Sequence, residues 1–211
     1  MSPARGDAPR AGSPDAPPPA ALLVRHAETE WSLAGRHTGR TDIPLTDAGR
    51  EEARRLAPRL AHTGFGLVLV SPSRRARETC ELCGLGADAR IDEDLLEWDY
   101  GDYEGLTRPE IHERSPGWVL WRDGCPGGEL PEQVGARADR VIATLTGAPG
   151  PAAVFSHGHM LRVLGARWIS LAAGEGGRLA LSTGALCTLG HEHATPVISR
   201  WNDTGSDHGR L

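Results

Sequence analysis

The chain has 211 residues, 39% of them hydrophobic and 24% charged, and its formal net charge is −5. That length supports one domain, or two small ones, with a sizeable core. An acidic balance without a basic block speaks against nucleic acid as the main partner, and the longest apolar runs fall far short of the roughly 18 residues that a membrane span requires.

In chain order, residues 1–20 carry Pro3, Pro9, Pro14 and the run Pro17–Pro19 among Ala, Gly and Ser, with no apolar period. Such a segment cannot offset its ordering entropy, and a disordered tail is predicted there. Ala21–Val24 is a continuous apolar run, as expected of a strand buried on both faces. Thr46 is suited to cap a helix in which Ala53, Leu56, Ala57 and Leu60 recur at i, i+3, i+4 and i+7, with Gly64 ending it. Leu67–Val70 reads as a second buried strand and leads through Ser71-Pro72-Ser73 into a helix at about Arg74–Leu82. A loop-rich stretch follows, then an amphipathic helix marked by Val134, Ala138, Val141, Ile142 and Leu145. Ala152–Phe155 is a third buried strand, succeeded by a helix carrying Leu161, Leu164, Trp168 and Leu171. Ala185–Leu189 and Pro196–Trp201 read as late strands. This alternation predicts an α/β fold, a three-layer α/β/α sandwich around a mostly parallel mixed sheet, over residues 21–211. In such sheets ligands sit beyond the carboxyl ends of the strands.

All 23 basic residues are Arg, beside 27 Gly and 16 Pro. The bias weakens any single Arg as a sign of a site, and the lack of Lys removes Schiff-base chemistry and a Lys-built P-loop. Cys80 and Cys83 have the C-x-x-C spacing but no second pair follows. With Cys125 and Cys187 they read as buried or helix-surface thiols, not zinc ligands. No apolar segment followed by a cleavage site opens the chain, so a cytoplasmic location is expected.

The residues after each buried strand carry the chemistry. The first strand runs into Arg25-His26-Ala27-Glu28-Thr29, the second into Ser71-Pro72-Ser73-Arg74-Arg75-Ala76, the third into Ser156-His157-Gly158-His159. Guanidinium forks match phosphate oxygens and keep their charge, and a neutral imidazole among them can attack phosphorus and hold the phosphoryl group. Fixed cationic donors would stabilise the transition-state oxygens. A leaving alcohol needs a proton, for which the acidic segment Leu96–Gly105 supplies candidates.

Here the chain resembles the histidine phosphatase superfamily, phosphoglycerate mutase-like. The strings that carry the resemblance are Leu23-Val24-Arg25-His26-Ala27-Glu28-Thr29-Glu30-Trp31, Thr38-Gly39-Arg40-Thr41-Asp42-Ile43-Pro44-Leu45-Thr46, Ser71-Pro72-Ser73-Arg74-Arg75-Ala76-Arg77-Glu78-Thr79 and Ser156-His157-Gly158, in order over nearly all of residues 21–201. The resemblance implies a catalytic domain over 21–211 in which His26 is the phosphorylated nucleophile and Arg25 and Arg75 hold phosphate. It makes His157 the second histidine and Glu97 the acid that protonates the leaving group and then deprotonates water. Ser32, Thr38 and Gly39 match substrate-holding positions of the first loop, and Gly158 and His159 adjoin the second histidine. The resembled pattern has Gly after the nucleophile; here it is Ala27, which suits the position only where φ is not positive.

Strings around Glu97 and Trp121-Arg122-Asp123-Gly124-Cys125 are similar to sedoheptulose-bisphosphatase-like proteins and to actinobacterial broad-specificity acid phosphatases. His157 follows Glu97 by only 60 positions, without the long basic segment of the resembled mutases, so hydrolysis is expected to win over transfer. The implied enzyme is a phosphomonoester hydrolase acting on small phosphorylated metabolites, sugar phosphates among them. A phosphoglycerate-type mutase and a non-catalytic phosphosugar-binding protein remain as alternatives. Glu28 and Glu104 are substitutes for Glu97, and His159 is read either as a substrate contact or as a helix cap. His157-x-His159 and His191-Glu192-His193 have metal-ligand spacing without a third ligand, so neither metal nor cofactor is expected. Trp98, Trp118 and Trp121 are expected at the pocket mouth. The expected partner is a small phosphorylated substrate, not a membrane or nucleic acid, and a homodimer is left open.

Overall fold

The computed structural model describes residues 21–205, so the tail expected over 1–20 lies outside the described residues. The elements are β1 (Ala21–Arg25), α1 (Glu30–Leu33), α2 (Asp47–Leu60), β2 (Leu67–Val70), α3 (Arg74–Leu82), β3 (Ala89–Ile91), α4 (Arg108–Arg114), α5 (Leu120–Asp123), α6 (Pro131–Thr146), β4 (Ala152–Ser156), α7 (Gly158–Trp168), β5 (Leu186–Glu192) and β6 (Thr195–Asp203). Six strands make one sheet in the order β3-β2-β4-β1-β5-β6. β1, β4, β2 and β3 run parallel, while β5 and β6 join antiparallel at one edge.

The continuous apolar strands follow from cover on both faces. Along β4, Ala152 and Val154 enter the core on one side of the sheet with Val134, Val141 and Leu145 of α6 and Leu161 and Leu164 of α7. Ala153 and Phe155 enter the core on the other side with Leu56 and Leu60 of α2 and Ala76 and Cys80 of α3. Period-2 alternation thus serves two cores, each fully buried Leu, Val or Phe stabilising by roughly 1.5–3 kcal/mol. This is the α/β/α sandwich. Because α2 and α3 cover one face and α6 and α7 the other, the chain leaves β1 and β4 toward opposite layers. A crevice opens at their carboxyl ends.

Several local expectations need correction. α2 starts at its Thr46 cap, whose hydroxyl accepts from Gly49 N–H, but it ends at Leu60, the last buried residue of its stripe, before Gly64. α7 ends at Trp168, so Leu171 is not on it and stands exposed. There Ser170 has φ 63° and donates to Arg167 O, while Leu171 N–H reaches Ala166 O, a Schellman closure without the usual glycine. β5 and β6 run on to Glu192 and Asp203. The stretch read as loop-rich contains β3, α4 and α5; α4 opens on a capping box of Thr107 and Glu110, whose T-x-x-E spacing was in plain view. All four cysteines are buried and free. Burial pushes the Cys80, Cys83 and Cys125 thiols up to about 12. Among the described residues no helix is long and apolar enough to cross a membrane.

Candidate active site

Backbone pairing beyond the strands draws their ends together. His26 N–H donates to Ser156 O at 2.9 Å and Ser71 N–H to Phe155 O at 2.9 Å. At the end of β1 the His26 ring lies with Nδ1 2.8 Å from its neighbour's carbonyl, Ala27 O. A carbonyl only accepts, so Nδ1 carries the proton and Nε2 keeps its lone pair. Burial, then the charges of Arg75 and Arg25, hold this imidazole well below the usual histidine value; it is neutral. Ala27 meets the condition on its backbone, because the described non-glycine residues with positive φ are Ser170, His193 and Asn202. Its N–H donates to Thr79 Oγ1 at 3.1 Å.

A cavity of about 240 Å³ opens beside His26, and Arg25, Ser32, Thr38, Glu97, Gly158 and His159 share its wall. Arg25 donates through Nη1 to Leu181 O at 2.5 Å, yet its Nε is buried with no acceptor. A buried donor of that kind is costly unless an anion uses it. Gly158 lets the guanidinium lie close: a Cβ there would stand 3.2 Å from Arg25 Cζ. Glu97 is buried, not a surface carboxylate. Its Oε1 accepts from Trp98 N–H at 2.9 Å and Met160 N–H at 2.8 Å, and its Oε2 from His159 N–H at 3.0 Å. The carboxylate therefore caps the first turn of α7 across more than sixty residues of sequence. Glu97 is also the foremost charge opposing the desolvation of Arg25, Arg75 and Arg162. On the cavity wall Glu97 is the one carboxylate beside the guanidiniums of Arg25, Arg36 and Arg162, which leaves the wall cationic inside an acidic protein.

Arg75 and His157 join the cluster beside His26 without lining the cavity. Arg75 is fully buried; its Nε donates to His157 Nδ1 at 3.1 Å, and its Nη atoms to the carbonyls of Thr41, Thr38 and Gly39. His157 Nδ1 is thus an acceptor, and Nε2 donates to Ser71 Oγ at 2.7 Å. Its ring centroid is 5.2 Å from that of His26. Burial, then the charge of Arg75, holds His157 well below the usual histidine value. Gly39 also lies off the wall. It permits a close approach, since a Cβ would meet Glu104 Oε2 and Trp98 O at 2.7 Å. Its N–H is held by Glu104, which also accepts from Thr41. Glu104 and Glu28, which accepts from Thr46, therefore pin loops and are not on the cavity wall.

The helix cap of α7 is His157, not His159; the His159 ring meets Tyr100 Oη at 2.5 Å. With His157 and His159 engaged by different partners, their spacing does not make a chelate. Trp98 is corrected as well: it is fully buried and donates to Glu129 O at 2.9 Å. Trp121 packs against its edge. Tyr100, Arg36, His37 and Arg162 also line the wall without having been singled out. Arg162 follows His159 by three positions on α7, the signal that would have found it.

Four imidazoles here, His26, His37, His157 and His159, are lowered by burial first. Such groups bind protons in the unfolded chain before they do so in the fold, so their contribution to stability is complete above about pH 6.5 and is lost as pH falls below it. Thermal melts should show the midpoint dropping between pH 7 and pH 5, with each excluded proton worth up to about 1.4 kcal/mol per pH unit. The lowered carboxylates of Asp94 and Asp203 act in the same direction but below this window. A flat midpoint would show that these rings protonate within the fold.

The family description "Histidine phosphatase superfamily (branch 1)" matches residues 21–204. An acid phosphatase of Mycobacterium tuberculosis is 42% identical over 188 residues, spanning 87% of this chain and 92% of that protein. Sedoheptulose 1,7-bisphosphatase of Saccharomyces cerevisiae is 37% identical over 185 residues, spanning 72% of this chain and 68% of that one. A solved structure from a Mycobacterium tuberculosis open reading frame superposes with a TM-score of 0.83 at 39% identity, covering 89% of this chain and 99% of that one.

Proposed function

Because this chain belongs to the histidine phosphatase superfamily, branch 1, we propose that it is a phosphomonoester hydrolase working through a covalent phosphohistidine on His26. The observation that carries the reading is the fixed tautomer of His26: Nδ1–H is spent on Ala27 O, which leaves Nε2 as a neutral nucleophile on the wall of a cationic cavity that also holds Arg25 and Glu97. In the first step the Nε2 lone pair attacks phosphorus as the P–O bond to the alcohol breaks, and protonated Glu97 gives that oxygen its proton. Arg25 carries the charge of the phosphoryl oxygens. In the second step water attacks phosphorus, Glu97 takes its proton, and the N–P bond breaks to release inorganic phosphate and restore both groups. Arg75 and His157, the expected partners of Arg25 at the phosphate, are joined to one another beside His26. The chain Arg75 to His157 to Ser71 fixes the wall against which His26 stands.

Hydrolysis is favoured over transfer because only 60 positions separate Glu97 from His157, and Pro131–Thr146 among them form α6, which packs on the sheet. Little chain is left to shield a phosphohistidine from water. The substrate class is a small phosphorylated metabolite, with sugar phosphates supported by the bisphosphatase relative. Rapid quenching with ³²P-labelled substrate tests the intermediate. The expected label on the protein survives alkali and is lost in acid, as a phosphoramidate is. A label with the opposite lability, that of an acyl phosphate, would overturn His26 as its carrier.

A further inference from the structure

We propose that Glu52 is a positioning residue for the nucleophile, acting on His26 through the peptide group between Ala27 and Glu28. That peptide is trans and planar, so its carbonyl and its N–H point opposite ways. On one side Ala27 O accepts from His26 Nδ1 at 2.8 Å. On the other, Glu28 N–H donates to Glu52 Oε2 at 2.9 Å. Carboxylate, peptide and imidazole form one hydrogen-bonded chain in which each link polarises the next. An anion at the N–H end draws electron density onto the carbonyl oxygen, which then holds the Nδ1 proton more firmly and leaves Nε2 as the free lone pair. A carboxylate bonded directly to an imidazole fixes its tautomer in the same way; here a backbone amide stands between the two.

The backbone around this peptide is held so that the carbonyl keeps its direction. Ala27 N–H donates to Thr79 Oγ1 at 3.1 Å, and the Ala27 methyl is buried with Leu45 and Ala53. Glu28 O accepts from Thr46 N–H at 3.0 Å. Glu52 stands on the second turn of α2, directly before Ala53, so one short stretch of helix supplies both the apolar contact and the charge. The methyl of Ala27, absent from the resembled pattern, therefore has a use: it seats the residue whose carbonyl orients the nucleophile. Glu52 is partly buried, where a hydrogen bond to a carboxylate is stronger than in water. Arg25 also feels the Glu52 charge, after that of Glu97, and a phosphate-binding readout separates that effect from the one on His26.

This role rests on His26 as the nucleophile, so the imidazole is followed apart from turnover. Imidazole ¹⁵N spectra, with the His26 signals assigned by their loss in His26→Ala, should place the proton on Nδ1 in the wild type. Glu52→Ala removes both the charge and the acceptor. A share of the Nε2–H form should then appear, and kcat/KM for phenyl phosphate should fall about 10–100-fold, the order found where a neighbour orients a functional imidazole. Glu52→Gln keeps an acceptor oxygen and should recover the wild-type tautomer and most of the rate. Affinity for inorganic phosphate, measured by calorimetry, should not fall in either variant, because Arg25 is untouched. Circular dichroism checks that both are folded, as expected of substitutions at a partly buried helix position. A single Nδ1–H tautomer in folded Glu52→Ala would overturn the positioning role whatever the rate, as would a loss of phosphate affinity that accounts for the whole loss of kcat/KM. A mixed tautomer with an undiminished rate would overturn His26 as the nucleophile and leave the hydrogen-bonded chain standing.

Discussion

His26→Ala lowers phosphate release from phenyl phosphate by roughly 10⁴-fold or more without unfolding the protein. The size of the effect follows from the lack of a substitute. His157 is the nearest ring, but Nδ1 accepts from Arg75 and Nε2 donates to Ser71, and it is fully buried. His159 is tied to Tyr100. The fold should hold because the His26 side chain makes one hydrogen bond, to the carbonyl of the next residue, and is an imidazole desolvated beside two guanidiniums. Arg25 is untouched, so inorganic phosphate should still bind. The measurement pairs a steady-state assay with a circular dichroism spectrum and phosphate calorimetry. Residual turnover within about tenfold of wild type, in a folded protein, would exclude His26 as the nucleophile.

What could be read from the sequence depended on whether the signal was local. The strands β1, β2 and β4 declared themselves because helices cover both faces, which forces runs such as Leu67–Val70 to be apolar at every position. The site motifs were legible for a related reason. Arg25-His26 and Gly158-His159 are short strings at strand ends, and the parallel register that pairs Arg25 with Ser156 brings them together. β3 gave no sign, since an edge strand of three residues with exposed Arg90 and Ile91 carries no apolar run.

Roles that depend on distant hydrogen bonds were the least legible. Nothing in Glu97-Trp98-Asp99 says that the Glu97 carboxylate meets the first turn of a helix more than sixty residues on. Nor does the string around Arg75 say that four of its hydrogen bonds go to a histidine and three carbonyls. The same holds for the clamp beneath Glu97. Arg137, paired with Glu129 at 2.8 Å, donates to the carbonyls of Asp94 and Leu96, and Glu129 accepts from Asp99 N–H. Resemblance could supply the residue names, but only the fold distinguishes residues on the cavity wall from those that brace it.

Glu97→Gln should separate substrates by leaving group. A phenolate departs with little protonation, whereas an alkoxide needs a proton in the transition state, and general acid catalysis contributes roughly 10²–10⁴-fold. With the acid removed, kcat/KM for a sugar phosphate should fall by about that factor, while kcat/KM for 4-nitrophenyl phosphate should stay within about tenfold. The two parameters diverge for the aryl substrate. kcat/KM reports the steps through phosphoryl transfer to His26, but kcat also includes attack by water, for which Glu97 is the base. The aryl substrate should therefore show a burst of nitrophenol followed by slow turnover, with the phosphohistidine accumulating. A purely structural fault does not produce this pattern. The amide offers one oxygen where the carboxylate offered two, so one of the backbone donors from Trp98, His159 and Met160 loses its acceptor, at a cost of roughly 1–3 kcal/mol in stability. That loss would depress both substrates alike and give no burst. Equal falls in kcat/KM for alkyl and aryl phosphates would remove Glu97 from the proton transfer and leave it as the cap of α7.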